Sequence, residues 1–165
     1  MVQSFLVRTE IQKRWVAKFK QVEDIFKQRA AENDIQGQFP FENIKWLVDE
    51  GYTKLTLPKE YGGEGATIED MVILQSYLGA IDGATALSIG WHLSVVGQLY
   101  EQNMWEQSML NTFANEIVNG ALVNRAVSEA ETGSPTRGGR PGTHAVKEDN
   151  GYVPVSYTHL TLPTK

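Results

Sequence analysis

The sequence predicts a mainly α chain that opens with a helical domain and ends in the first strands of a second, β-rich region. Three observations carry this. Apolar residues recur at spacings of three and four through about the first 115 residues. β-formers gather only afterwards, from Ala121. The Asn-Gly pair Asn150-Gly151 sits between β-like runs, the strongest short-range hairpin signal. Helices followed by strands, rather than alternating with them, point to two structural regions.

Each element has its own signature. Ile11, Trp15, Val16, Phe19, Val22, Phe26 and Ala30 mark an amphipathic helix over residues 9–32, closed by Gly37 and Pro40. Ile44, Leu47 and Val48 share one face of a short helix over 41–50, and Gly51 stops it. Residues 52–58 read as extended or turn-like, and Gly62-Gly63-Glu64-Gly65 as a loop. Thr67 is the N-cap of a helix running to about Gly79, with Glu69 and Asp70 in its first turn. Asp82-Gly83 breaks the pattern. An uncharged helix follows from Gly83 to about Tyr100, and a shorter one over Met104–Phe113. Ala121–Val127 is rich in β-formers, residues 133–142 form a loop, and Thr143–Glu148 alternates like a strand.

Composition removes several functions. The chain has 165 residues, 41% of them hydrophobic and 21% charged, with a formal charge of −5. That balance excludes collagen, coiled coil and low-complexity disorder, and disfavours binding to nucleic-acid phosphates. Zero Cys excludes disulfides, iron–sulfur clusters, Cys-ligated zinc and thiol catalysis, and suits a cytoplasmic location. The N-terminus lacks the basic start and apolar length of a signal peptide. The uncharged stretch 83–100 approaches a membrane span in length, but Thr85, Ser88, His92, Ser94 and Gln98 favour a buried helix. Three scattered His residues give no metal site, and no nucleophile triad is visible.

Two loops could bear chemistry. Gly62–Gly65 has neither P-loop nor dinucleotide-binding spacing and reads as a connecting turn. Ser128-Glu-Ala-Glu-Thr-Gly-Ser134 offers the hydroxyls of Ser128 and Ser134, a glycine allowing close approach, and loop N–H groups that can hold an anion; a strand-ending turn is the competing reading. Glu129 and Glu131 read as solvated carboxylates rather than an acid/base pair. His92 reads as a core histidine, with a pocket-lining role as the alternative. His144 reads as structural.

Four stretches together resemble the acyl-CoA dehydrogenase family of flavoproteins. They are Phe39-Pro40 with Leu47, Glu50 and Gly51; Leu57-Pro58-Lys59-Glu60-Tyr61-Gly62-Gly63-Glu64-Gly65; Ala126-Val127-Ser128-Glu129-Ala130-Glu131-Thr132-Gly133-Ser134-Pro135; and Thr143 through Val153. Their order and spacing agree with the family over residues 8–153. The resemblance implies a helical domain over 1–117 and the start of a middle β-barrel domain over 118–153. It implies FAD as cofactor, with Val127 and Ser128 at the flavin ring and Gly133 and Ser134 near the pyrophosphate. Arg125 is a further cofactor-side candidate, at a position the family often fills with an aromatic or apolar residue. Ser134 and His92 are the candidate substrate-binding residues. Ala130 stands where the family has Pro, and Pro135 where it has Asp.

The implied reaction is α,β-dehydrogenation of an acyl-CoA thioester, a carboxylate base taking the α-proton while hydride leaves to the flavin. Base and second flavin-contacting element would lie beyond this chain, so no catalytic residue is assigned and the fragment is expected to be inactive. The implied parent is a cytoplasmic homo-oligomer of fatty-acid metabolism with no nucleic-acid partner and an unidentified electron acceptor. Two alternatives stay open: a flavin monooxygenase or nitroalkane oxidase of the same architecture, and a cofactor-free helical interaction domain. The remaining residues, 154–165, fit no family continuation. Val155–Thr164 reads as the translation of a sequencing-library transposon adapter (GTC TCT TAT ACA CAT CTG ACG CTG CCG ACG), with Pro154 at the junction. The tail is therefore expected to be non-native, and the strands before it to expose an open edge prone to aggregation.

Overall fold

A computed structural model of the chain describes residues 6–125, 138, 142–149 and 151–155. The chain divides into two units, Met1–Asn124 and Arg125–Lys165. The first carries α1 (Glu10–Gln36), α2 (Phe41–Asp49), α3 (Ile68–Ile81), α4 (Gly83–Gln102) and α5 (Gln107–Val118). Short 3-10 turns at Tyr52–Lys54 and Lys59–Tyr61 join α2 to α3. The second carries a two-stranded antiparallel ribbon, β1 (His144–Glu148) and β2 (Gly151–Val155).

Helix starts follow capping chemistry. The Thr9 hydroxyl accepts from the Gln12 N–H, and the Gln12 side chain accepts from the Thr9 N–H, closing a capping box on α1. Thr67 and Asp70 close the same box on α3. The two boxes are wired together. Asp70 Oδ1 accepts from the Thr9 hydroxyl at 2.6 Å and from Gln12 Nε2 at 2.8 Å, tying two helix starts through residues 61 and 58 apart in sequence. Asp82 closes α3 and opens α4, its carboxylate accepting from the N–H groups of Ala84 and Thr85 and from the Thr85 hydroxyl.

The boundaries differ from the sequence reading where local signals were weak. α1 continues four residues past Glu32, through a polar turn, until Gly37 adopts the left-handed conformation at φ 62° and caps it. α5 starts at Gln107 rather than Met104. Asn103, at φ 46°, ends α4, and the Glu106 carbonyl accepts the first N–H groups of α5, so Met104 and Trp105 lie in the connection. Residues 121–125 form no strand despite their β-forming composition, because the Val123 N–H goes to a side chain instead of a neighbouring strand.

The main core joins α1 to α4. Trp15, Phe19 and Tyr52 are fully buried and meet edge-to-face or tilted, with Trp15 and Tyr52 centroids 4.7 Å apart. Leu47, Leu55, Leu74, Leu78, Ile89 and Leu93 surround them. A smaller cluster of Leu57, Val96, Ala114 and Ile117 holds α5, with Val123 packed against it. α4 is buried on one side by Thr85, Ala86, Ile89, His92, Leu93 and Val96. Its other side leaves Leu87 and Trp91 exposed, without a charged residue between Gly83 and Tyr100. Among the described residues no helix is long and apolar enough to cross a membrane.

In the second unit the register pairs Glu148 with Gly151. β2 extends through Pro154 and Val155, which lie opposite Ala145 and His144. A ribbon of two strands is all edge, which is why it tolerates a proline without an N–H to donate.

Candidate functional site

The Gly62–Gly65 loop settles its own role through its backbone. The N–H groups of Gly62, Gly63, Glu64, Gly65 and Ala66 donate to the carbonyls of Lys59, Pro58, Lys54, Leu57 and Leu55, at 2.8–3.1 Å. Every donor that could have cradled a phosphate is already engaged, so this loop does not fit one. Gly62 and Gly65 take left-handed conformations at φ 85° and 62°. At Gly63 a side chain is excluded by space, since a Cβ there would lie 2.0 Å from the Leu57 oxygen. Glu64 points back to α1, accepting from Trp15 Nε1 at 3.0 Å and pairing with Arg14. The loop is a clasp on the helical core.

His92 sits in the middle of α4 and is 2% exposed. Its Nδ1 accepts the Val123 N–H at 3.0 Å, and its Nε2 lies 2.9 Å from the Thr53 carbonyl. Nδ1 must then be the bare nitrogen and Nε2 the protonated one, a neutral ring donating to Thr53. Burial pushes its pKa down, and the Thr53 carbonyl only partly offsets that. No ring nitrogen remains for a substrate. His92 ties together α4, the 3-10 turn after α2, and the segment that follows α5.

The other predicted site residues lie at or past the end of that segment. Arg125 is exposed and opens the second unit. Val127, Ser128, Gly133 and Ser134 lie outside the described residues, as do Glu129 and Glu131. His144 is exposed on β1, its Nδ1 2.9 Å from the Gly142 carbonyl.

Sequence reasoning missed a cleft on the helical unit. It has a volume of 530 Å³ and lies between the start of α3 and the second half of α4. Pro58, Ala66, Met71 and Leu93 supply apolar walls, and Thr67 and Gln98 supply polar points. The size is within the range of small-molecule sites. No histidine lines it, and its one carboxylate, Glu101, is exposed on the last turn of α4. Such a cleft can receive an apolar group but holds no acid–base pair. The signal that could have found it is the small Gly97, which packs against Thr56 so closely that a Cβ would lie 3.3 Å from the Thr56 Cβ.

Comparison with known proteins matches residues 9–107 to the family model described as "Acyl-CoA dehydrogenase, N-terminal domain". "Putative acyl-CoA dehydrogenase YdbM" of Bacillus subtilis (strain 168) is 53% identical over 150 residues, covering 91% of this chain and 39% of that protein. "Acyl-CoA dehydrogenase, short-chain specific" of Clostridium acetobutylicum is 28% identical over 144 residues, 87% of this chain and 37% of that protein. "3-sulfinopropanoyl-CoA desulfinase" of Cupriavidus necator is 26% identical over 133 residues, 77% of this chain and 33% of that protein. The chain thus spans between a third and two-fifths of the length of these relatives.

Proposed function

Because the chain belongs to the acyl-CoA dehydrogenase family, we propose that it is the N-terminal part of an FAD-dependent oxidoreductase that introduces an α,β double bond into an acyl-CoA thioester. One observation supports this most. The 53% match includes 150 of 165 residues, so residues 16–150 fall inside it wherever its ends lie. That interval contains the whole loop from Arg125 to Ser134, the part of the sequence with flavin-binding chemistry.

The donor set of that loop fits the cofactor. Hydroxyls of Ser128 and Ser134 suit flavin oxygens and phosphate, Gly133 permits close approach, and Val127 offers an apolar surface to a ring. Arg125 adds a cation two residues before Val127. Flavin, when bound, supplies the acceptor for the hydride. The chain's own residues would bind and orient it, and exclude water. The helical unit contributes the uncharged face of α4, whose exposed Leu87 and Trp91 would be covered in the intact parent. The carboxylate base is assigned to the portion of the parent beyond this chain. We place the parent in the cytoplasm as a homo-oligomer of fatty-acid metabolism, with the electron acceptor left unassigned. A desulfinase among the relatives keeps a neighbouring chemistry on acyl-CoA in view as the second reading.

Gly133→Val in the intact parent tests the loop assignment. A branched side chain at the point of closest approach should remove bound flavin, read as loss of visible absorption. The far-UV circular dichroism of the helical unit should stay unchanged. A yellow Gly133→Val protein would contradict the assignment.

A further inference from the structure

His92 joins two segments through bonds of opposite kind. Its Nε2–H donates to the Thr53 carbonyl, and its bare Nδ1 accepts the Val123 N–H. A second proton on the ring treats the two bonds differently. Nε2 still donates to Thr53, and a charged ring donates more strongly. Nδ1, once protonated, meets the Val123 N–H donor to donor, and that bond is lost. Thr53 therefore keeps the ring in place while Val123 is let go. Upstream, the Ala121 N–H donates to the Glu116 carbonyl at 2.9 Å, a bond that ring protonation leaves untouched. What then holds Val123 is its half-buried side chain against Leu57, Val96, Ala114 and Ile117.

We propose that the His92–Val123 bond is an acid-released latch: protonation of the ring at Nδ1 releases the backbone at Val123 while the core of the helical unit stays folded. The ring and both of its partners belong to that unit, so the latch is independent of the cofactor reading above. The elements that meet at the ring carry Tyr52, Lys54, Tyr100, Glu101 and Glu116, and Arg125 comes two residues after Val123. Burial is the first cause that moves the ring's pKa, pushing it below the usual 6.5, and the Thr53 carbonyl opposes it. No charged side chain of these elements, or of α2 and α3, is among the causes. The folded state thus prefers the neutral ring. The latch is closed above about pH 6.5 and loosens as the pH falls toward the folded value. Asp70, whose carboxyl is held below the usual 3.8, titrates in more acid solution.

An NMR titration of the 165-residue chain tests the latch in the folded state. The His92 ring should be the neutral Nε2–H tautomer at pH 7 and should take up its proton below pH 6.5. The Val123 amide signal should move to the position of an unbonded amide with the same midpoint. Its exchange, corrected for the intrinsic pH dependence, should speed up by about tenfold across that midpoint, the worth of one buried hydrogen bond. Leu93, in the core of α4, should still be protected at the acid end. His92→Asn keeps an acceptor near the Nδ1 position and has no proton to gain, so its Val123 signal should stay in place. A Val123 amide that does not move when the ring protonates overturns the latch. So does an equal movement in His92→Asn, a ring that stays neutral until the helical unit unfolds, or unfolding of the whole unit in the same step.

Discussion

Gly63→Ala is expected to prevent the helical unit from folding. A Cβ at this position would meet the Leu57 oxygen at 2.0 Å and the Leu57 carbonyl carbon at 2.5 Å. Both belong to backbone, so no rotamer change relieves the contact. The loop would have to move off Leu57, and the bonds from Gly63 to Pro58 and from Gly65 to Leu57 would go with it. Glu64 would then lose Trp15, opening the edge of the main core. A loss above about 4 kcal/mol follows, large against the 5–15 kcal/mol of a typical domain. Gly65→Ala and Gly37→Ala provide the comparison. Each sits at φ 62° with no backbone atom closer than 3.7 Å, so each should cost only about 1 kcal/mol. Urea denaturation of the three variants, followed by circular dichroism, reads the contrast; a Gly63→Ala protein as stable as Gly65→Ala would refute it.

Asp70→Asn is expected to cost about 3 kcal/mol, because charged hydrogen bonds are worth more than neutral ones. Asp70 is 3% exposed and receives Thr9, Gln12 and Thr67. Burial pushes its carboxyl pKa up, but the bonds from Thr9, Thr67 and Gln12 together outweigh that and hold it below the usual value of 3.8. The sign of the pH dependence follows. The folded state prefers the ionised form, so the contribution is fully present above about pH 4 and is lost as the pH falls through the depressed folded value. An amide turns its N–H₂ toward two of the four donor groups and cannot accept them all. Chemical denaturation between pH 2.5 and 7 should show wild-type stability falling in acid, and the gap to Asp70→Asn narrowing there. A gap that stays constant with pH would show that folding does not lower the Asp70 pKa.

These two residues also show how much of the fold the sequence carries on its surface. Thr67 before an apolar run announces the start of α3, and Gly37 and Gly51 announce the stops before and after α2, because caps are local chemistry. The cross-wiring of Asp70 to Thr9 is invisible, because it depends on two residues 61 positions apart meeting in space. The start of α5 was misplaced for a related reason. Met104 and Trp105 have the right apolarity for a helix, but Asn103 turns the chain first, and both side chains remain exposed. The candidate site divides the same way. The hydroxyls and the glycine in 128–134 are readable as ligand chemistry from their types alone. His92 is readable as buried from its uncharged neighbours, yet its partners Thr53 and Val123 lie 39 and 31 residues away. The Gly62–Gly65 loop is the converse: a glycine-rich stretch whose donors are all spent on the protein itself.

The most direct measurement is an anaerobic titration of the intact parent with saturated acyl-CoA thioesters of graded chain length, followed in the visible spectrum. The proposed function predicts flavin absorption in the purified protein, bleached by at least one acyl-CoA with formation of the corresponding 2-enoyl-CoA. A parent that carries no flavin, or whose flavin is bleached only by a substrate other than a thioester, would contradict it.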